Sequence, residues 1–563
     1  MGTTTRVNVF LTALTLAGIA VTASCGVRPD DATSGAQPPA AAMGSGPVAT
    51  TPVTSTTPTT THVYPTVEAT ATPTTIVSVP EPRVVDLRLG PEVGPVRLTA
   101  VVPDVDGTVV VRGTVTGDPV VPAALPVWTH MGTVVDDSTG RVGVAVPDGD
   151  GRFGVVIDGL ADGSHWICPD EMALAIGPPD AEMDLGCGHG CGAVVLGELS
   201  VGTTGRPEQT WLVAPPVGHA LHLTERDAGE SVVLSDGSIF WVFGDTAQQR
   251  PDGGVAYFVN NTAAWAAAEQ PTATRDGVDE QGRPFLFAAP PEGICDDSTY
   301  SRAALWPESV VAIPQADGTD RVVVIMSTVC VGSDWLAAEE VGLAVVEYVY
   351  DPTDPPVDQR IRGEITQPEL ATTDQAFGRA ATVGPDGYVY TQHCGCFTEH
   401  WGPCVVARVR ADGITDPSAW RYWNGGDWTD PASWVADVGQ AAPMQVPDTV
   451  GVGEPLPVAG FDLAYDDLLG VYVMAYTPWP GFCGRAAIRV STTPVGPWTP
   501  PVEVTLPDCT GEVAGMDHHC YAVTAQVEFD AEGLLGLGYF DMVTDGGVAE
   551  YRALTVPFVV VAR

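Results

Sequence analysis

Two aspartates frame the segment of the sequence that is best suited to acid–base chemistry. Asp227 and Asp245 lie near the ends of the stretch RDAGESVVLSDGSIFWVFGDT, which contains an Asp-Gly pair at Asp236 and Gly237. An Asp-Gly pair between two apolar runs predicts a β-hairpin, with one strand leading away from Asp227 and the next returning to Asp245. Two carboxyl groups at one end of a hairpin can serve as acid and as base or nucleophile in glycosidic cleavage. The alternative for Asp245 is a structural turn residue.

Five further polar residues are candidates for binding a substrate beside this pair. They lie in four later segments of the chain: Arg302, Glu308, Arg379, Asp462 and His519. For each of them the alternative is a structural role, as a charged side chain in a buried ion pair or as a histidine that meets a backbone carbonyl.

The elements that must position these residues are predicted to be β-strands. Between residue 205 and the C-terminus, apolar or aromatic runs with Asp-Gly or Asp-Asp turns recur at intervals of roughly forty to ninety residues. The five segments are SDGSIFWVFGDT from Ser235, RVVVIMSTV from Arg321, GPDGYVYTQH from Gly384, YDDLLGVYVMAYT from Tyr465 and FDAEGLLGLGYFD from Phe529. They predict a five-bladed β-propeller over residues 205–563. A second β-sandwich is the competing fold, but the spacing is long for sandwich strands.

The N-terminal third contains three further segments. Residues 1–25 have one early arginine, an apolar run and the sequence TASC, and they are predicted to be a signal peptide with a lipobox that ends at Cys25. Ordinary cleavage near Ala23 or Ser24 is the alternative. Residues 26–83 are rich in Thr, Pro and Ala and predict a disordered linker. Recurring apolar runs over residues 84–204 predict a small β-sandwich accessory domain.

The cysteines indicate an oxidising compartment. Twelve cysteines in an exported chain favour disulfides, and eleven remain when Cys25 is set aside. Zinc is the alternative for the CGHGC segment at 187–191 and for the cysteines at 394, 396 and 404, but neither group has paired ligands at finger spacing. We therefore expect no metal and no cofactor.

The charge and composition exclude several classes of function. The chain has 70 acidic and 25 basic residues, a formal net charge of -45, and no lysine. This charge opposes binding to nucleic acid, and the absence of lysine excludes a P-loop and Schiff-base chemistry. We expect a monomer that meets the membrane only through an N-terminal lipid anchor, facing outward, or that is secreted.

The order of motifs resembles a family of bacterial five-bladed propeller glycoside hydrolases, formerly a domain of unknown function, that includes endo-D-arabinanases. The resemblance covers about 205–563. It rests on the Asp227–Asp245 spacing with FGDT, on ALWPES at 304–309, on GRAATVGPDGYVY from Gly378, on VSTTPVGPWTPP from Val490 and on the segment at Cys520 and Tyr521. The resemblance implies a catalytic pair, Asp227 and Asp245, that acts on an arabinose-containing polysaccharide of the cell wall. The alternative is a carbohydrate-binding or structural propeller without turnover.

Overall fold

The computed structural model describes residues 96–106, 108–115, 125–131, 140–145, 152–157, 163–169, 192–215, 223–250, 255–295, 300–332, 338–371, 378–393, 404–444, 458–478, 484–507, 509, 518–543 and 550–562. Regular structure in these ranges consists of β-strands, and helical geometry is confined to 3-10 turns of three residues. The prediction of an all-β protein is confirmed. In the described part of the chain, no helix is long and apolar enough to span a bilayer. Cys25 and the predicted linker at 26–83 lie outside the described residues.

The N-terminal strands belong to two sheets. One sheet has the order β1-β2-β5, and β3, β4, β6, β7 and β8 lie in a nine-stranded sheet whose other members are β9 and the last three strands of the chain. The strands are β1 (Val96–Pro103), β2 (Val109–Val115), β3 (Leu125–Met131), β4 (Gly140–Ala145), β5 (Arg152–Ile157), β6 (Gly163–Pro169), β7 (Gly192–Leu196), β8 (Leu199–Thr203) and β9 (Gln209–Leu212).

These two sheets pack against each other at a glycine. A Cβ atom on Gly202 of β8 would lie 2.2 Å from the carbonyl oxygen of Val101 on β1. Because no other residue type fits this distance, the side-chain hydrogen of glycine permits the approach of β1 to β8. The partner of β8 in its own sheet is the last strand of the chain. A single sheet therefore spans the boundary predicted at residue 204.

The chain next builds a small sheet and the first of five larger ones. The small sheet has the order β10-β13-β14, and sheet 1 has the order β11-β12-β15-β16. Their strands alternate along the chain: β10 (Leu223–Arg226), β11 (Gly229–Val233), β12 (Ile239–Phe243), β13 (Thr246–Gln249), β14 (Val255–Val259), β15 (Thr262–Ala266) and β16 (Arg275–Asp276). The predicted hairpin is β11-β12, in which Gly229 pairs with Phe243.

Three of the remaining sheets follow in chain order as antiparallel meanders. Sheet 2 comprises β17 (Tyr300–Pro314), β18 (Asp320–Gly332), β19 (Ala338–Tyr350) and β20 (Glu364–Ala371). Sheet 3 comprises β21 (Ala380–Val383), β22 (Tyr388–His393), β23 (Val405–Arg410), β24 (Arg421–Trp423) and β25 (Trp434–Val435). Sheet 4 comprises β26 (Val458–Asp466), β27 (Val471–Pro478), β28 (Arg485–Ser491) and β29 (Val502–Thr505).

Sheet 5 is the C-terminal part of the nine-stranded sheet and is completed by a strand from earlier in the chain. It comprises β30 (His518–Ala525), β31 (Leu534–Val543) and β32 (Glu550–Ala562), and β9 pairs with β32 at its edge. The first strands of the five sheets, β11, β17, β21, β26 and β30, contact one another in this order, and β30 contacts β11. These five strands therefore form a closed ring.

The hydrophobic core follows the same ring. Buried apolar clusters join sheet 1 to sheet 2, sheet 2 to sheet 3, sheet 3 to sheet 4, sheet 4 to sheet 5, and sheet 5 to sheet 1. Since each sheet buries both of its faces, the strands are apolar on both sides, as IFWVF in β12 illustrates.

Two disulfides are present among the described residues, Cys295–Cys330 and Cys509–Cys520. The prediction that cysteines form disulfides is confirmed for these four.

Candidate active site

The candidate site lies where the strands of sheet 1 break and continue into the small sheet. Asp227 and Ala228 separate β10 from β11, and Gly244 and Asp245 separate β12 from β13. The break is fixed by backbone hydrogen bonds: Asp227 N donates to Asp245 O and Gly244 N donates to Asp227 O, both at 2.8 Å. Ala228 has a φ of 42°, in the left-handed region. A Cβ atom on Gly244 would lie 3.0 Å from Asp227 O, so the glycine of FGDT permits the close pairing.

The residue before Asp227 anchors the break. The guanidinium of Arg226 forms a buried ion pair with Asp276 on β16 and lies 4.3 Å from the centre of the Phe243 ring. The side chain of Arg226 is thus held by residues of sheet 1, whereas the side chain of Asp227 contacts sheet 5.

Asp227 is buried and is held by sheet 5. Its side chain is 7% exposed, and the hydroxyl of Tyr521 on β30 donates to its Oδ1 at 2.7 Å. Burial raises the pKa of Asp227 to about 7, and the negative charge of Asp245 contributes in the same direction. The hydrogen bond from Tyr521 acts in the opposite direction because it stabilises the carboxylate. Near neutral pH this carboxyl group can therefore carry a proton.

Asp245 is buried and is held by sheet 2. The indole Nε1 of Trp306 donates to its Oδ1 at 2.9 Å, and Nη2 of Arg302 donates to its Oδ2 at 3.3 Å. Burial raises the pKa of Asp245, whereas the charge of Arg302 and the Trp306 bond lower it. The two members of the pair thus differ in their surroundings, since Asp245 has a cation as a partner and Asp227 has a neutral hydroxyl.

Arg302 is the most exposed of these side chains, at 32%, and its guanidinium carbon lies 5.0 Å from the centre of the Phe258 ring. Its Nη1 atom is buried and has no hydrogen-bond partner within the described ranges. A ligand that reaches Asp245 would therefore meet the exposed part of the Arg302 side chain.

Three other predicted residues lie in or beside a second group of charged side chains. We define the central acidic group as Glu230 on β11, Glu308 on β17, Asp462 on β26 and Glu528, which interact electrostatically through Glu230. Burial raises the pKa of Asp462 to about 6 and that of Glu528 to about 8.

Members of this group are bonded to neighbouring groups of the protein. Arg379 forms ion pairs with Glu308, at 3.6 Å, and with Glu340. Asp462 accepts hydrogen bonds from Leu463 N at 2.7 Å and Ala525 N at 2.9 Å. The structure therefore brings Arg302 to the aspartate pair, and it places Glu308, Arg379 and Asp462 in an ion-paired and amide-bonded network. His519 lies on β30, and its side chain is outside the described part.

Several residues of the site were missed by the sequence reasoning. Glu230 could have been found, because the sequence Glu-Ser-Val-Val occurs both at 230–233 and at 308–311 and places Glu230 and Glu308 at equivalent positions of neighbouring sheets. Trp306 lies within the ALWPES motif but was not assigned to Asp245. Tyr521 is 294 residues from Asp227 in the sequence, and no local pattern indicates that contact.

The fold and the site together define an all-β protein with a buried aspartate pair at the break of one sheet. The model of the family described as "Domain of unknown function (DUF4185)" matches residues 220–526, which include both aspartates and Tyr521. The chain belongs to this family. No curated protein matches it.

Solved structures similar to this chain include three carbohydrate-related or hydrolase proteins. A putative hydrolase from Bacteroides ovatus is 15% identical with a TM-score of 0.42, and the alignment covers 63% of this chain and 90% of the hydrolase chain. Levansucrase from Gluconacetobacter diazotrophicus is 12% identical with a TM-score of 0.37 and covers 60% and 81%. A putative exo-beta-1,3-galactanase from Bifidobacterium bifidum is 13% identical with a TM-score of 0.32 and covers 63% and 92%. At these scores the likeness assigns no activity to this chain.

Proposed function

We propose that this protein is a glycoside hydrolase in which Asp227 is the general acid and Asp245 is the base or nucleophile. The observation that carries the proposal is the pairing of two buried carboxyl groups with unlike partners. Asp227, beside a neutral hydroxyl, has a pKa of about 7 and can hold a proton. Asp245, beside Arg302, is the member that carries the negative charge. In glycosidases, two carboxyl groups act as acid and base because their different environments shift their pKa values apart.

In the proposed reaction Asp227 gives its proton to the glycosidic oxygen as the bond to the anomeric carbon breaks. Asp245 either attacks that carbon or activates a water molecule that does so, which are the retaining and inverting courses. Arg302 contacts the substrate through the exposed part of its side chain. We assign to the substrate an arabinofuranosyl linkage in a cell-wall polysaccharide, and this assignment rests on the motifs from Asp227 to Tyr521 that resemble endo-D-arabinanases.

We further propose that sheets 1 to 5 are the blades of a five-bladed propeller, which the closed ring of first strands supports. The sheet β1-β2-β5 and the N-terminal strands of the nine-stranded sheet, which meet at Gly202, are the accessory β-sandwich. Export, with lipidation at Cys25, would hold the hydrolase at the outer face of the cell membrane.

The test is release of oligosaccharides from arabinogalactan by the purified protein. We expect Asp227→Asn and Asp245→Asn each to lower turnover at least a hundredfold, because each removes an acid–base function without opening a cavity. Asp317→Asn is the control, since Asp317 lies in an exposed turn and accepts hydrogen bonds from Thr319.

The rival function is a non-catalytic carbohydrate-binding or structural protein. It is favoured by the burial of Asp245, which is 2% exposed with both oxygens occupied by Trp306 and Arg302. Saturable binding of arabinogalactan without product, unchanged in both Asp→Asn variants, would establish the rival.

A further inference from the structure

The contact between Tyr521 and Asp227 joins the two ends of the strand ring. Asp227 belongs to the break in sheet 1, whereas Tyr521 lies on β30, the first strand of sheet 5. The side chain of Tyr521 is buried, and its hydroxyl donates to Asp227 Oδ1 at 2.7 Å. Neither the family match nor the sequence motifs assign a function to Tyr521.

Three features of the backbone and the core hold Tyr521 in this position. Cys520, the preceding residue, is tied to Cys509 by a disulfide. Ala522, the following residue, has a φ of 52°, and the register of β30 with β31 shifts between Tyr521 and Thr524. The ring of Tyr521 packs edge-on against Phe540, with ring centres 4.9 Å apart. A left-handed alanine beside a cross-link is maintained only where the surrounding structure requires it.

We propose that Tyr521 is a positioning residue, which orients the Asp227 carboxyl group and determines at which pH it releases its proton. This proposal takes from the proposed function only the role of Asp227 as the acid. Among the described side chains, the charged and titratable groups that face Asp227 are the carboxylate of Asp245 and the hydroxyl of Tyr521, while Arg226 is turned toward Asp276. A hydroxyl that donates to a carboxylate favours the charged form. Tyr521 therefore offsets the effect of burial and of Asp245.

The experiment is an infrared titration of the Asp227 carboxyl group, taken as the difference between each protein and the same protein carrying Asp227→Asn. We expect Tyr521→Phe to move the midpoint upward by about one pH unit, because the phenyl ring fills the space but donates no hydrogen bond. Tyr390→Phe is a matched control. Tyr390, in sheet 3, is also buried, and its hydroxyl donates to the carboxylate of Asp386 at 2.7 Å.

A midpoint that is the same in Tyr521→Phe and in the unmodified protein would overturn the proposal, and so would an equal upward shift in Tyr390→Phe. If Tyr521→Phe does not fold, Tyr521→Met provides the same comparison. The infrared result does not depend on turnover, so it separates this proposal from the proposed function. Where hydrolysis is measured, the alkaline limb of the kcat/KM profile should move upward with the infrared midpoint, an effect that loss of packing alone would not produce.

Discussion

The carboxyl groups of Asp466 and Asp530 allow a quantitative test of how burial changes the pKa of an acidic residue. Gly536 N donates to Asp530 Oδ1 at 2.5 Å, and Leu468 N donates to Asp466 Oδ1 at 2.8 Å. The Oδ2 atom of each carboxyl is buried and has no hydrogen-bond donor in the described ranges, unless the two groups share a proton. Burial, reinforced by Asp466 and Glu528, raises the pKa of Asp530 to about 9.

The direction of the pH effect follows from linkage. Between its ordinary pKa of 3.8 and its folded pKa of about 9, Asp530 binds more protons in the folded protein than in the unfolded chain. The free energy of unfolding therefore falls as the pH rises through this window, by about 1.4 kcal/mol per pH unit from this group. Between pH 5 and pH 8 the loss from Asp530 alone is about 4 kcal/mol, as an upper bound.

The perturbation is Asp530→Asn, whose amide can donate to Asp466 at every pH and has no proton to lose. The assay is urea unfolding of the wild type and the variant at pH 5, 6, 7 and 8, with Asp317→Asn as the exposed control. We expect the stability of Asp530→Asn relative to wild type to rise steadily across this series. A difference between the two proteins that stays constant from pH 5 to pH 8 would refute a shared, buried proton at Asp530.

Three further predictions concern other parts of the chain. Gly202→Ala should lower the free energy of unfolding by about 3 kcal/mol, because its Cβ atom would overlap the Val101 carbonyl, whereas Gly197→Ala, whose Cβ atom would have ordinary contacts, should change thermal stability little. Metabolic labelling with a fatty acid should tag the wild type but not Cys25→Ser, and an unlabelled wild type would leave only secretion. Hydrolysis should decline above pH 7, since Asp227 loses its proton near its pKa of about 7, and an activity that rises to pH 9 would exclude it as the acid.

The sequence predicted the parts of the fold that depend on local patterns. The hairpin β11-β12 follows from Asp236-Gly237 between apolar runs, and it carries Asp227 and Asp245 to one end. The break of sheet 1 was not predicted, because it depends on a left-handed alanine, Ala228, where glycine would have been the recognisable signal. The pairing of β8 with β32 was missed for a similar reason, since long-range strand pairing leaves no periodic pattern in either segment.

The candidate site was predictable as far as its two carboxyl groups and Arg302, which pairs with Asp245. Their partners come from other sheets, as Trp306 illustrates, which lies on β17 of sheet 2 and 61 positions after Asp245. Glu308 and Arg379 were predicted to bind substrate. In the structure Arg379 forms ion pairs with Glu308 and with Glu340 on β19, and no local pattern in the sequence indicates the contact with Glu340. Whether a charged residue meets a ligand or another side chain depends on tertiary packing, and spacing alone does not determine it.

The aspartate pair depends on the packing of three sheets. The backbone of sheet 1 supplies both residues, yet sheet 5 holds the side chain of Asp227 through Tyr521 and sheet 2 holds that of Asp245 through Trp306 and Arg302. The separation and the protonation of the two carboxyl groups are therefore determined by two interfaces of the ring, each with its own apolar cluster. Because cores of this density transmit small displacements, packing changes at either interface should affect one aspartate more than the other. A closed ring limits such displacements, since each sheet is held on both sides.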